Sequence, residues 1–166
     1  PVEAARLGAR AVIIRSAGTS RTRIAHTGIT RYRDGVPRIP AVAVSNEDAN
    51  MIERQLASGR ELIVHMKLTS RQLADTESAN VIGEIPGEDD DAGIVVLAAH
   101  LDSWDVGTGA VDDGAGVAIV TEAARLIGEL DDKPRRTIRV ILYANEEFGL
   151  TGAKEYVKAH AGTLDD

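Results

Sequence analysis

Residues 94–120 read IVVLAAHLDSWDVGTGAVDDGAGVAIV, and their pattern indicates the class of fold. Its first six residues are a continuous apolar run, which is typical of a β-strand that is covered on both faces. A helical pattern follows over residues 114–128, with Asp112 or Asp113 placed to cap its N-terminus. Its apolar residues share one stripe: Val117, Val120, Ala124 and Ile127, with Ala123 and Leu126 beside them.

The flanking sequence extends this pattern in both directions. Residues 80–85 and 135–143 are further predicted strands, and residues 152–160 open a last helix. The order strand, helix, strand, helix predicts an α/β fold. We expect three layers around a mixed, mostly parallel sheet.

The sequence before residue 77 predicts a separate, small α/β unit. Ser45 is placed to cap a helix, with Asp48 in the capping-box position. The other predicted elements are a short helix over residues 2–7, strands over residues 11–14 and 39–44, a loop over residues 15–38 and an alternating strand over residues 61–68.

Charge divides the chain in the same place. Residues 1–76 carry twelve basic and seven acidic side chains, whereas residues 77–166 carry seven and nineteen. A change of sign of this size predicts two domains, 1–76 and 77–166.

Composition excludes several classes of protein. The chain has no cysteine, which excludes disulfide scaffolds and thiolate metal sites. Its net charge of −7 and its few aromatic residues argue against nucleic-acid binding. No apolar run approaches the roughly 20 residues of a membrane span.

Polar residues follow the two apolar strands of the second domain. His100 and Asp102 come after the first strand, and Glu146 and Glu147 after the second. Ligands bind beyond the carboxyl ends of such strands, and imidazole with carboxylates suits zinc or manganese. A neutral imidazole can bind a metal while Asp102 accepts its other N–H. Taken singly, these motifs are also common as turns, caps or solvated surface pairs.

Together, three motifs resemble the M28 family of di-zinc exopeptidases, and in particular its plasma glutamate carboxypeptidase branch. They are HLDSWD at 100–105, GTGAVDDGAG at 107–116 and ANEE at 144–147 with Gly149 and Leu150. Residues 8–14 and 39–45 resemble a protease-associated (PA) domain, so the first unit is expected to be a partial PA-type unit.

The resemblance implies a role for each site residue. His100 and Glu147 would each bind a zinc ion, and Asp112 would bridge the two ions. Glu146 would be the general base, Asp102 would orient His100, and the Asp112–Asp113 peptide would be cis. The family's ligand set continues with an aspartate and a histidine that this chain does not clearly supply. Asp165 and Asp166 come early for that aspartate, so we expect an internal fragment that is inactive alone.

Two other classes of protein remain open from the sequence. A non-catalytic relative would keep the fold and use the PA-type unit for protein contacts. The M20 peptidases and deacylases also use His-x-Asp and Glu-Glu, but the 12-residue step from His100 to Asp112 favours M28. The expected substrate is a peptide or dipeptide, the expected compartment secreted, periplasmic or lysosomal, and a homodimer is compatible with the sequence.

Overall fold

The computed structural model describes residues 1–162, which divide into two compact units, Pro1–Ala74 and the described residues from Asp75 onward. The division lies in a stretch without helix or strand, and residues 69–79 are all exposed. Asp165 and Asp166, considered above as ligands, lie outside the described residues.

The first unit contains two parallel strands and two helices. Its elements are α1 (Val2–Arg6), β1 (Val12–Arg15), β2 (Ala41–Val44) and α2 (Asn46–Ala57). α2 begins as predicted, because the Ser45 hydroxyl accepts a hydrogen bond from the Asp48 amide at 3.1 Å. Ser45 also donates to the Asp48 carboxylate, which pairs with Arg23.

The prediction of a strand over residues 61–68 is wrong. These residues have no regular structure, and the side chains of Ile63 and Val64 are 89% and 54% exposed. An alternating pattern forms a strand only where a neighbouring strand can pair with it, since isolated strands are marginal in water. No described residue pairs with this segment.

The described residues of the second unit form a three-stranded mixed sheet with helices. Its elements are β3 (Val81–Ile85), a 3₁₀ turn (Asp90–Ala92), β4 (Ile94–His100), α3 (Gly114–Gly128), β5 (Thr137–Tyr143) and α4 (Thr151–Ala159). The strand order is β3-β5-β4, in which β4 and β5 are parallel and β3 and β5 are antiparallel.

The two helices lie against opposite faces of this sheet, which gives the expected layers. Ile138 and Val140 of β5 line a cleft of about 570 Å³ with Ala124 of α3. On the other face, the Arg139 guanidinium donates to the Tyr156 hydroxyl of α4 at 2.7 Å, and the Tyr143 ring contacts Tyr156 edge-on. Successive β5 side chains therefore alternate between the two layers.

Burial is concentrated on β5 rather than spread over both apolar segments. Ile141 is fully buried at the centre of the sheet. β4 is an edge strand of the described sheet. Its residues Ile94, Val95 and Val96 are 37–46% exposed. The described residues therefore do not bury this strand on both faces, as its apolar sequence predicts. The α3 stripe is only half-buried, and Leu126 beside it is exposed.

Candidate metal centre

The parallel pairing of β4 and β5 brings the predicted site residues together. His100 is the last residue of β4 and pairs with Tyr143 near the end of β5. Glu146 and Glu147 follow β5 within four residues, and Asp112 precedes α3. All three segments therefore meet at the carboxyl edge of the sheet, where α/β proteins bind ligands.

His100, Asp112 and Glu147 form a group with the geometry of a metal site. Each offers one ligand atom, and these atoms lie within 4.8 Å of one another. The His100 Nε2 atom lies 2.9 Å from Asp112 Oδ1 and 4.0 Å from Glu146 Oε2. Histidine nitrogen and carboxylate oxygen are both atoms that bind zinc in proteins. The residues present therefore fit the metal that the sequence predicts.

The His100 ring is held by main-chain oxygen. Its Nδ1 atom lies 2.9 Å from the carbonyl oxygen of Asp102, to which it can donate its proton. This leaves Nε2 directed at the Asp112 carboxylate, where a proton or a cation is needed between the two acceptors. Burial lowers the pKa of His100, but the Asp102 carbonyl, the Asp112 carboxylate and the charges of Asp113 and Glu146 together raise it above its ordinary value.

The Asp102 carboxylate also contacts main-chain atoms that the sequence does not predict. Its Oδ1 atom is 3.5 Å from His100 Nδ1, farther than the main-chain oxygen of the same residue. Its two oxygens instead accept hydrogen bonds from the main-chain amides of Glu146 and Glu147, at 2.8 and 3.1 Å. Side chain and main chain of Asp102 thus serve different parts of the site.

Asp113 joins β4 to α3, and only its place at the helix cap is predicted from the sequence. Its Oδ1 atom accepts from the Gly116 amide at 3.0 Å and so caps α3. Its Oδ2 atom accepts from the His100 amide, also at 3.0 Å. The Asp112–Asp113 peptide is cis, as the resemblance implied.

Trp104 and Phe148 form an aromatic contact beside the acidic residues. Their ring centroids are 4.5 Å apart, and the ring planes are inclined at 51°. From the sequence, a pocket-lining role and a packing role are equally plausible for Trp104, and Phe148 is not singled out. The position of Phe148 directly after Glu147 was the available signal.

The other histidines lie outside this group. His65 is exposed in the first unit, where His26 also lies in the loop before β2. His160 stacks on the Tyr156 ring at 4.1 Å, and its Nδ1 atom lies 2.8 Å from the Tyr156 carbonyl oxygen. Of the loop arginines, Arg23 pairs with Asp48 and Arg38 lies over the Tyr32 ring.

The family model described as "Peptidase family M28" matches residues 80–166. The chain belongs to peptidase family M28. This confirms the family that the three motifs indicated, and the matched residues include the whole candidate metal centre.

Two relatives match nearly the whole chain, including residues before the M28 segment. Human carboxypeptidase Q is 43% identical over 159 residues, covering 96% of this chain, and mouse carboxypeptidase Q is 40% identical over 163 residues. The chain spans about a third of the length of these relatives, 34% and 35% respectively.

Two solved peptidase structures also match nearly the whole chain. A peptidase M28 precursor from Shewanella amazonensis superposes with a TM-score of 0.91 at 53% identity, covering 99% of this chain and 37% of that one. An Aneurinibacillus aminopeptidase gives a TM-score of 0.55 at 27% identity, over 94% of this chain and 37% of its own. The close superposition on the M28 peptidase precursor confirms the predicted α/β fold class. Among residues 1–162, no helix has the length and apolarity that crossing a membrane requires.

Proposed function

We propose that this M28 chain carries part of the catalytic centre of a zinc-dependent exopeptidase that hydrolyses peptides or dipeptides near their ends. The observation that carries the proposal is the convergence of His100, Asp112 and Glu147 to within 4.8 Å. Carboxypeptidase Q and the Aneurinibacillus aminopeptidase, by their names, remove residues from peptide ends, which supports the same class of reaction.

Each residue has a task in this reaction. His100 and Glu147 would each hold a zinc ion, and Asp112, whose side chain is 75% exposed, would be the bridging ligand. When bound, zinc supplies Lewis-acid polarisation of the scissile carbonyl. The Glu146 carboxylate takes a proton from the attacking water and returns it to the leaving amine.

The remaining parts of the proposal concern the chain as a whole. The described residues offer one imidazole and two carboxylates to a cation, so the 166-residue chain binds zinc weakly and is inactive alone. A PA-type first unit, a secreted, periplasmic or lysosomal site of action and a homodimer belong to the same proposal. The carboxypeptidase Q relatives match both units, which supports a common origin of the two units in one M28 protein.

Zinc content is the measurement that tests the metal centre. The purified chain is dialysed against trace zinc, and its zinc is measured beside Asp112→Ala and the matched control Asp105→Ala. Both aspartates are exposed, so neither substitution opens a cavity in the core. We expect Asp112→Ala to weaken zinc binding by more than the roughly 10–100-fold that loss of a residue supporting a ligand costs. Asp105→Ala should leave it unchanged.

Other outcomes decide against parts of the proposal. Zinc that is bound equally by the chain and by Asp112→Ala would overturn the ligand assignment. Absence of zinc from the unsubstituted chain, even at high free zinc, would favour a non-catalytic module. Hydrolysis of dipeptides by the zinc-loaded chain, abolished in Glu146→Gln, would contradict inactivity of the chain alone while supporting the catalytic role of Glu146.

A further inference from the structure

An apolar cleft of about 570 Å³ lies beside α3, and no residue of the candidate metal centre lines it. Part of its floor is formed by alternate residues of β3: Val81, Gly83 and Ile85. Its wall is a stripe of α3 with the spacing i, i+3, i+7: Thr121, Ala124 and Gly128. The volume lies in the range of natural binding pockets, so the cleft is large enough for an occupant.

The cleft exists because α3 is too narrow to cover this whole face of the sheet. A helix with its side chains is about 10–12 Å wide and neighbouring strands are about 4.8 Å apart, so one helix covers about two strands. α3 packs mainly on β4 and β5. The first four residues of β3 are exposed, and Val81 is 54% exposed. The face above β3 therefore has room for a second helix that lies beside α3.

The small residues of the lining allow a second helix to approach closely. A Cβ atom added at Gly83, in the middle of β3, would meet no described atom within 4 Å. The α3 stripe presents only the short side chains of Thr121 and Ala124 and the bare main chain of Gly128. Packed helices lie about 8–10 Å apart, and the side chains at the contact set this distance. The wall of the cleft is therefore suited to the shorter distances.

The charged residues of the lining favour a helix that carries basic side chains. They are Glu84, Arg125 and Glu129. Arg125 pairs with Glu129 and Glu122, and Glu84 pairs with Arg139. Three carboxylates thus face two guanidinium groups in this cluster, which leaves an excess of negative charge. Lysine or arginine beside the apolar face of the helix would complement this excess.

The length of the relatives indicates a source for such a helix. The chain spans 34% of human carboxypeptidase Q and 37% of the Shewanella precursor. It superposes on the latter with a TM-score of 0.91 over 99% of its own length. The larger part of each relative therefore lies outside the matched segment, while the matched fold is the same. A second helix layer over β3 can come from that larger part.

We propose that this cleft is a docking site for an amphipathic helix of the same protein that lies outside residues 1–166. The apolar face of the helix packs on Val81 and Ile85, and its basic side chains lie toward Glu84 and Glu129. This docking site is independent of the metal centre, so it stands or falls separately from the proposed function.

Thiol labelling tests the docking site, because the 166-residue chain has no cysteine of its own. Val81→Cys places a thiol in the cleft. Val157→Cys on α4 is the matched control, since the two valines are 54% and 52% exposed. Each variant is labelled with a maleimide in the 166-residue chain and in the protein as its gene encodes it, and mass spectrometry quantifies the labelled peptide. From the first protein to the second, the labelling rate of Val81→Cys should fall at least about tenfold, whereas that of Val157→Cys should change little.

Filling the cleft provides a second readout. Gly83→Trp should be tolerated by the 166-residue chain, because the space above Gly83 is open and tryptophan is favourable in strands. In the gene-encoded protein the indole would take the place of the helix, so the midpoint of thermal unfolding should fall. Val157→Trp, on the exposed side of α4, should lower the midpoint in neither protein.

A photoactivatable amino acid in place of Val81 identifies the occupant. A cross-link to a helical segment of the same protein outside residues 1–166 is expected. Equal labelling of Val81→Cys in both proteins, or a tolerated Gly83→Trp in both, would overturn the docking site. Protection of Val81→Cys that is already present in the 166-residue chain and is lost on dilution would assign the cleft to a second copy and so overturn the proposed occupant.

Discussion

At the scale of single residues, the Asp113 carboxylate links the candidate metal centre to β4 and α3. Asp113 accepts one hydrogen bond from the first turn of α3 and another from the His100 amide. The N-terminus of the helix and the end of β4 are therefore fixed relative to each other by a single side chain. Asp112, its neighbour, is presented to His100 from that fixed point.

Asp113→Ala should destabilise the chain by about 1–2 kcal/mol, the cost of removing a helix N-cap. Asp113→Asn should cost less, since asparagine is an equally good cap. Urea unfolding in the presence of a chelator measures both variants without a contribution from bound metal. Equal losses for the two variants would show that the cap is not the source of the stabilisation.

The composition of the candidate centre could be predicted from the sequence, but the contacts of its supporting residues could not. These three residues, His100, Asp112 and Glu147, converge because they lie next to the ends of β4, α3 and β5. The order of those elements is predicted by the apolar pattern. The partners of Asp102 depend on where two amides point in a turn with positive φ at Asn145. Nothing in a sequence pattern specifies that direction.

At the scale of secondary-structure elements, the start of α4 is fitted closely to the end of β5. Gly152, in the first turn of α4, donates from its amide to the Ala144 carbonyl at 3.1 Å. The Asn80 side chain bridges the same two residues, accepting from the Ala144 amide and donating to the Gly152 carbonyl. The turn that carries Glu146 is thus closed at its base.

Gly152→Ala should destabilise the chain by about 1–3 kcal/mol, the usual cost of overpacking. A Cβ atom there would collide with the Ala144 carbonyl and the Asn80 side chain. Gly128→Ala, at the end of α3, is the matched control, because its Cβ would lie at an ordinary 3.6 Å from Ile85. Helix propensity alone would make both changes favourable. Thermal or urea unfolding should therefore give opposite signs for the two, and a stabilising Gly152→Ala would contradict the close fit.

Element types were more predictable than element burial. The residues of β4, α3, β5 and α4 follow from their apolar periods, whereas the strand expected over 61–68 lacks a described partner. A period reports which residues share a face. It does not report whether another element covers that face, as the exposure of Val95 and Val96 shows.

At the scale of the whole molecule, the five candidate site residues all lie in one unit. The first unit, Pro1–Ala74, contributes none of them, and the stretch that leads to the second unit is exposed and irregular. The change of charge predicted a boundary at residues 76 and 77, and the contact-based division falls between Ala74 and Asp75. Identification of the first unit as PA-type stays a prediction.

A chain of residues 75–166 should therefore fold by itself and bind zinc with the stoichiometry of the 166-residue chain. Each compact unit has its own sheet, β1-β2 in the first and β3-β5-β4 in the second, and a domain with its own core can fold alone. Circular dichroism and zinc content measure the two properties. A chain of residues 1–74 is the matched control: it contains His26 and His65 but no described metal-binding group, so it should take up no zinc. Zinc retained by residues 1–74, or lost by a folded chain of residues 75–166, would mean that the ligands come from elsewhere in the protein.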